Sequence, residues 1–155
     1  MPDVEPTKRA ASADRLLARL APDVAMDERA RWRDEVLLVL SDPQFAAVFA
    51  PGSVAEAPIA GRVNGDMIVG QIDRLSVSEN RVLVVDYKTN RPPPLKPEDA
   101  DPAYVAQMAA YRALLQEIYP GHEVSCALLW TYDARLMDIP AEMLDHAFAR
   151  SLVAG

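Results

Sequence analysis

The stretch RVLVVDYKT (81–89) constrains this chain more than any other. Four apolar residues, Val82 to Val85, run straight into a carboxylate and an ammonium, Asp86 and Lys88. A near-continuous apolar run of this kind fits a strand buried on both faces. Two positions apart on a strand, Asp86 and Lys88 point to the same face. Charges at the end of so apolar a strand lose much of their hydration and need each other or a ligand. A salt-bridged strand end meets that need as well as a functional site does, so the D-x-K spacing alone decides nothing.

The preceding segment changes the balance. MIVGQIDRLSV (67–77) reads as a long strand and SEN (78–80) is turn chemistry. Two adjacent strands joined by a short polar turn predict an antiparallel hairpin. Asp73 precedes Asp86 by thirteen positions, so the hairpin brings both carboxylates and Lys88 to one end of a sheet. Like charges at close range repel, and a divalent cation relieves them. Carboxylate oxygens suit a hard ion such as Mg²⁺, with Mn²⁺ able to replace it. Such an ion polarises a phosphate and acidifies a bound water. Lys88 would orient or deprotonate that water, or stabilise charge in the transition state. Gly70, with no side chain, would let a ligand backbone come close. Glu56 is a further acidic candidate, better read as a solvated surface residue.

The remaining periodicities place these residues in a larger frame. The first fifty residues read as helical: about 8–20 with Leu16, Leu17 and Leu20 on one side, then DERARWRDEVLLVLS with Trp32, Val36, Val39 and Leu40 at helical spacing. Asp27 is the expected N-cap of the second helix, and Pro43 is expected to open a third, through Phe49. VAEAPIA (54–60) predicts a strand at an edge, because Pro58 has no donor. RPPPLKPEDADP (91–102) predicts a loop rather than a helix. YVAQMAAYRALLQEIY (104–119) predicts a helix that Pro120 and Gly121 stop. Gln107 and Tyr111 are four apart on one face of it, with Tyr104 on the same side; an ordinary amphipathic helix would show the same spacing. Strands over 123–132 and 135–139, with a turn at Asp133 and Ala134, and a terminal helix opened by Pro140 complete the order.

Composition bounds the function. Of the 155 residues, half are hydrophobic and a quarter charged, as in one globular domain. The single cysteine, Cys126, sits in the apolar run CALLW; it forbids an intramolecular disulfide and a four-cysteine metal site and fits a buried structural thiol. His122 and His146 stand far from the acidic motifs, against a histidine-rich metal site. No apolar run approaches a membrane span and the N-terminus lacks a signal-peptide core, so a cytoplasmic location is expected. A formal net charge of −7 argues against a free-standing nucleic-acid binder, whose phosphate contacts need Lys and Arg, and suggests help from a larger protein or a partner.

GQIDRL, VVDYKTN and YVAQMAAYRALL, in that order and spacing, resemble the nuclease domain of the RecB-like PD-(D/E)xK family. Within it the sequence is most similar to the C-terminal nuclease domain of AddA-type double-strand-break repair helicase–nucleases. The specific match covers residues 70–111, with fainter likeness over most of the chain. The resemblance implies an α/β, restriction-endonuclease-like fold: a central mixed sheet of about five strands flanked by helices, with an N-terminal helical segment. It implies one nuclease domain over 1–155, comprising a helical part (1–50), the catalytic sheet and helix (54–139) and a C-terminal helix (140–155). Asp73 and Asp86 would ligate Mg²⁺, with the carbonyl of Tyr87 as a further ligand. Lys88 would be catalytic, and Gln107 and Tyr111 would lie near the DNA. Arg74, Thr89 and Arg91, beside these positions, are candidate phosphate contacts, with ordinary surface placement an equal alternative. Single-stranded DNA ends and a helicase portion or subunit would be the partners.

Two departures stand out. The family usually offers a histidine ligand on the first helix before a Leu-Leu pair, and ASADRLL here has Asp14 instead. Asp14 either binds metal in its place or marks a weakened site. No GxxxxGK[ST] motif occurs, so this chain carries no ATP-driven motor. The readings to weigh are therefore a metal-dependent exonuclease working with a helicase, a weakened or inactive nuclease-fold module that binds DNA or scaffolds a repair complex, and a free-standing phage- or CRISPR-type exonuclease.

Overall fold

The computed structural model describes residues 4–153. The chain divides into two compact units, Met1–Pro51 and Gly52–Gly155.

The first unit is a pair of helices, α1 (Pro6–Leu20) and α2 (Met26–Ser41), followed by a 3₁₀ turn at Pro43–Phe45. Arg9 ties the pair together: its Nε donates to Val4 O at 3.0 Å and its Nη1 to Leu40 O at 3.1 Å. Leu16 and Leu17 are half-buried, whereas Leu20, Val36 and Leu38 are exposed. Two expectations need correction. Asp27 lies inside the first turn of α2, whose N-cap is Ala25 with no side-chain hydrogen bond; its charge still suits the positive end of the helix dipole. The third helix is only the 3₁₀ turn, capped by Asp42, whose Oδ1 accepts from Gln44 N at 2.9 Å.

The second unit holds a five-stranded sheet in the order β1-β2-β3-β4-β5. Its strands are β1 (Val54–Val63), β2 (Asp66–Val77), β3 (Arg81–Lys88), β4 (Glu123–Trp130) and β5 (Arg135–Ile139). β1 is an edge strand, which is where Pro58 is tolerated. It also runs longer than the apolar pattern indicated. Asn64 and Gly65, at φ 53° and 96°, form a two-residue turn that pairs Val63 directly with Asp66, and positive φ at both positions is what a tight right-twisted hairpin requires. Among the described residues β3 and β4 are the only parallel neighbours, and parallel strands need a long crossover. That crossover is the proline-rich loop, which includes a 3₁₀ turn at Pro97–Asp99 where only loop was expected, followed by α3 (Pro102–Ile118). Asp101 caps α3, accepting from Ala103 N at 2.8 Å, and Pro102 opens it.

One face of the sheet packs against α3, which carries α4 (Ala141–Val153) on its flank. Val82, Val84, Val105, Met108, Leu115, Leu128 and Leu144 form the core between them. On the other face Val85, Ala127 and Leu129 are also buried, so β3 is covered on both sides, as its apolar run requires. Cys126 is buried, and burial pushes its thiol up to about 12. The architecture is thus α/β with a five-stranded mixed sheet, consistent with a restriction-endonuclease-like fold. Among the described residues no helix is long and apolar enough to cross a membrane.

Candidate active site

The site begins with a break in a strand. Ile72 sits in the core opposite its β1 partner Ala57, and Leu75, three residues on, packs against the same core. Strict alternation would separate core residues by two, so the pleat is interrupted at Asp73 and Arg74. On one side of the interruption, Glu56 of β1 has φ 52° and the β1–β2 pairing skips it. On the other, the β2–β3 ladder stops at Arg74 with Val85. Just beyond that last pair Asp73 lies close enough to Asp86 for its charge to act on it. The Tyr87 N–H turns to the Asp73 side chain, donating to Oδ2 at 2.7 Å. A carboxylate thus serves as the acceptor where the ladder has ended, and Asp73 is fixed against the end of β3.

Asp86 and Lys88 share a face, as their spacing requires, and form an ion pair between Asp86 Oδ2 and Lys88 Nζ. Both side chains are largely buried, at 9% and 15% exposed. Burial pushes the Asp86 carboxyl above its ordinary range; Lys88 opposes that rise and nearby Asp73 adds to it. Burial likewise raises the Tyr87 phenol. Two carboxylates that disfavour each other's charge, one of them poorly hydrated, form a site that gains from a cation.

Helix α3 closes the site from above. The Lys88 ammonium lies 3.9 Å from the centroid of the Tyr104 ring. The Tyr104 hydroxyl donates to Asn90 Oδ1 at 3.3 Å. One turn on, Gln107 Nε2 donates to the Tyr111 hydroxyl at 3.1 Å, and that hydroxyl donates to Gln71 O at 3.3 Å. Gly70 makes this possible: a Cβ there would fall 2.6 and 2.7 Å from Tyr111 ring carbons. The space expected for a ligand backbone at Gly70 is therefore filled by Tyr111. Gln71, which spacing alone did not single out, links the same helix to β1 by donating to Glu56 Oε2 at 2.7 Å.

The structure thus gathers Asp73, Asp86, Tyr87 and Lys88 at the C-terminal end of β3, while Gln107 and the buried Tyr111 sit over β2 at Gly70 and Gln71. The flanking candidates differ. Arg74 is buried and donates to Ser53 Oγ at 2.7 Å. Thr89 is exposed. Arg91 lies over the Tyr132 ring at 5.0 Å, beside a cleft of about 610 Å³ bordered by Asn90, Pro92 and Tyr104. Asp14 belongs to the N-terminal unit, where Arg33 Nη1 donates to its two oxygens at 3.2 and 3.4 Å.

Among the described residues no group of three or more His, Cys, Asp or Glu side chains is placed to hold a metal. The donor set at β3 is two carboxylates with a backbone carbonyl between Asp86 and Lys88. That set fits Mg²⁺, which keeps several waters and takes one or two carboxylates plus substrate phosphate. It does not fit Zn²⁺, which prefers nitrogen or sulfur.

No curated protein matches the sequence. Among solved structures, the crystal structure of SSO0001 is similar at 12% identity and a TM-score of 0.42, over 83% of this chain and 70% of that one. The family model of the PD-(D/E)XK nuclease superfamily matches residues 2–148. With the D-x-K strand, Asp73 beside its end and the five-stranded mixed sheet already in place, this match shows that the chain belongs to the PD-(D/E)XK nuclease superfamily.

Proposed function

We propose that this domain is a Mg²⁺-dependent deoxyribonuclease that hydrolyses phosphodiester bonds by attack of water, acting as an exonuclease on DNA ends. The observation that carries the reading is the convergence of Asp73, Asp86 and Lys88 at one strand end, with the Asp86 carboxylate nearly buried. Membership of a superfamily that generally uses divalent ions, typically Mg²⁺, supports it. Asp73, Asp86 and the Tyr87 carbonyl would hold the ion, and Asp14 is a candidate further ligand. Bound there, it supplies a Lewis acid for the phosphate and an acidified water. Lys88 orients that water and stabilises charge on the phosphate oxygens. Exposed Gln107 would face the DNA strand, held in place by the buried Tyr111 and its bond to Gln71. Arg74, Thr89 and Arg91 are the proposed phosphate contacts around it.

The acidic total charge bears on how DNA arrives. With a net charge of −7, the chain alone makes a poor electrostatic trap for a polyanion. We therefore place it as the nuclease part of a helicase–nuclease in double-strand-break repair, fed single-stranded DNA by the motor. Asp14 in place of the family's usual histidine, together with the acidic net charge, favours one second reading, a weakened nuclease-fold module that binds DNA or scaffolds a complex.

Incubation of the purified chain with end-labelled single- and double-stranded DNA separates the two. Cleavage with Mg²⁺ or Mn²⁺, none with EDTA, and none in Asp86→Ala is the result expected of the nuclease. DNA binding without cleavage under every metal condition would establish the second reading.

A further inference from the structure

Lys88 has a placement problem that the assigned residues do not solve. Its charged partner in this structure is Asp86 Oδ2, the same carboxylate that the proposed cation needs. Once a divalent ion shares Asp86, the ammonium loses much of that attraction and faces a second positive charge nearby. A lysine carries four rotatable side-chain bonds, and holding it in one geometry costs entropy. Something that attracts a cation without competing for metal must keep it at the site.

The Tyr104 ring is placed to do this. Its face lies 3.9 Å from Lys88 Nζ, well inside the range in which an aromatic quadrupole attracts an ammonium. The ring has no lone pair to offer a hard cation, and its hydroxyl is turned away to Asn90 Oδ1. It is itself well anchored. Tyr104 stands in the first turn of α3, just after the Asp101 cap, and Asn90 pins its far end.

We infer that Tyr104 is a positioning residue for Lys88: its ring face is the seat that holds the ammonium over the site when a metal ion takes up Asp86. This rests on the nuclease reading of Lys88. The seat itself is visible in this structure, so it is testable apart from that reading. The functional consequence is a rate effect. The seat is proposed to act only through Lys88, so weakening it should lower kcat and leave KM and metal affinity in place.

The test is a series of full-length variants carrying phenylalanine and its mono-, di- and trifluorinated forms at position 104. Fluorination drains the ring face stepwise while nearly keeping its shape. Under saturating Mg²⁺, kcat on single-stranded DNA is expected to fall stepwise, by about tenfold over the series, with KM unchanged. Tyr104→Phe is expected to lose no more than about twofold, and Tyr104→Leu at least as much as the trifluorinated ring. In the metal-free protein, the Lys88 ε-methylene protons are expected to show an upfield ring-current shift in a ¹H–¹³C NMR spectrum. Tyr104→Phe should keep that shift and Tyr104→Leu should lose it. A flat kcat across the fluorinated series, or Lys88 protons with no ring-current shift in the folded parent, overturns the proposal. If the parent cleaves no DNA, the nuclease reading fails, and the spectrum still decides whether Lys88 sits on Tyr104.

Discussion

Two ion pairs in this protein use the same chemistry in opposite surroundings. Asp14 and Arg33, in the N-terminal unit, meet at 3.2 Å with side chains 53% and 26% exposed. Asp86 and Lys88, at the end of β3, meet with side chains 9% and 15% exposed. The first pair is hydrated and screened, and such pairs contribute little to stability. The second has given up water that its mutual attraction only partly replaces, and Asp73 adds a further negative charge beside it. The difference shows where the fold tolerates electrostatic cost. A pair that served stability alone would sit as the first one does. The cost at β3 is concentrated where the carboxylates converge, on a strand buried on both faces, and on the proposed reading a bound cation would relieve it.

The comparison can be broken first with metal. Mg²⁺ or Mn²⁺ should raise the Tm, because an ion that binds only the folded state adds about 2.7 kcal/mol at a hundredfold excess over Kd. Asp73→Asn combined with Asp86→Asn should remove the effect in thermal melts. A shift that survives the double change would place the ion elsewhere.

The second test uses pH without metal. The Asp86 carboxyl is raised by burial, so the folded state holds its proton more tightly than the unfolded one. A group of this kind favours folding fully below the ordinary aspartate value of about 4, and that contribution is lost as pH rises through the raised value. Asp86→Asn mimics the protonated form. It should melt above the parent at pH 7 in EDTA, with the gap closing as the pH is lowered past the ordinary aspartate range. An Asn variant that is less stable at pH 7 would mean that the Lys88 attraction outweighs the desolvation.

The exposed pair should respond least. Asp14→Ala should leave the metal-free Tm nearly unchanged, as for other hydrated pairs. If Asp14 completes the ligand set, the same change weakens Mn²⁺ binding severalfold by calorimetry, and Asp14→His restores it. Unchanged Mn²⁺ affinity in Asp14→Ala removes Asp14 from the site.

How much of this was legible in the residues depends on the distance over which each feature is set. The nearness of Asp73 to the end of β3 follows from two strands and a three-residue turn: the ladder runs to Arg74 with Val85, and the Asp73 side chain reaches Tyr87 N just beyond it. The apolar run of β3 announces its double burial, whereas the start of α3 at Pro102, behind its Asp101 cap, falls inside the stretch read as loop. The pleat break at Asp73 was not legible, because it shows only when Ile72 and Leu75 are found in one core. Gly70 signalled a close approach correctly but not its occupant, since a missing side chain does not say which neighbour fills the space. The Asn64-Gly65 turn carried a strong hairpin signal that Gly61 and Arg62 obscured by interrupting the apolar pattern of β1. Tyr104 was placed on the right helical face by spacing alone. Its stacking on Lys88 depends on how α3 crosses the sheet, a tertiary fact that no local pattern encodes.

The most direct test of the site is a single-turnover comparison of the parent with Lys88→Ala on single-stranded DNA at saturating Mg²⁺, with Mn²⁺ affinity measured on the same preparations. Lys88 pairs with the Asp86 carboxylate and would compete with a cation for it, so its removal should leave the affinity intact or tighten it. The rate should nevertheless fall by about 10²–10³-fold, the usual cost of losing a group that stabilises transition-state charge. A Lys88→Ala variant that binds metal and cleaves as fast as the parent would contradict the assignment of Asp73, Asp86 and Lys88 as one catalytic centre.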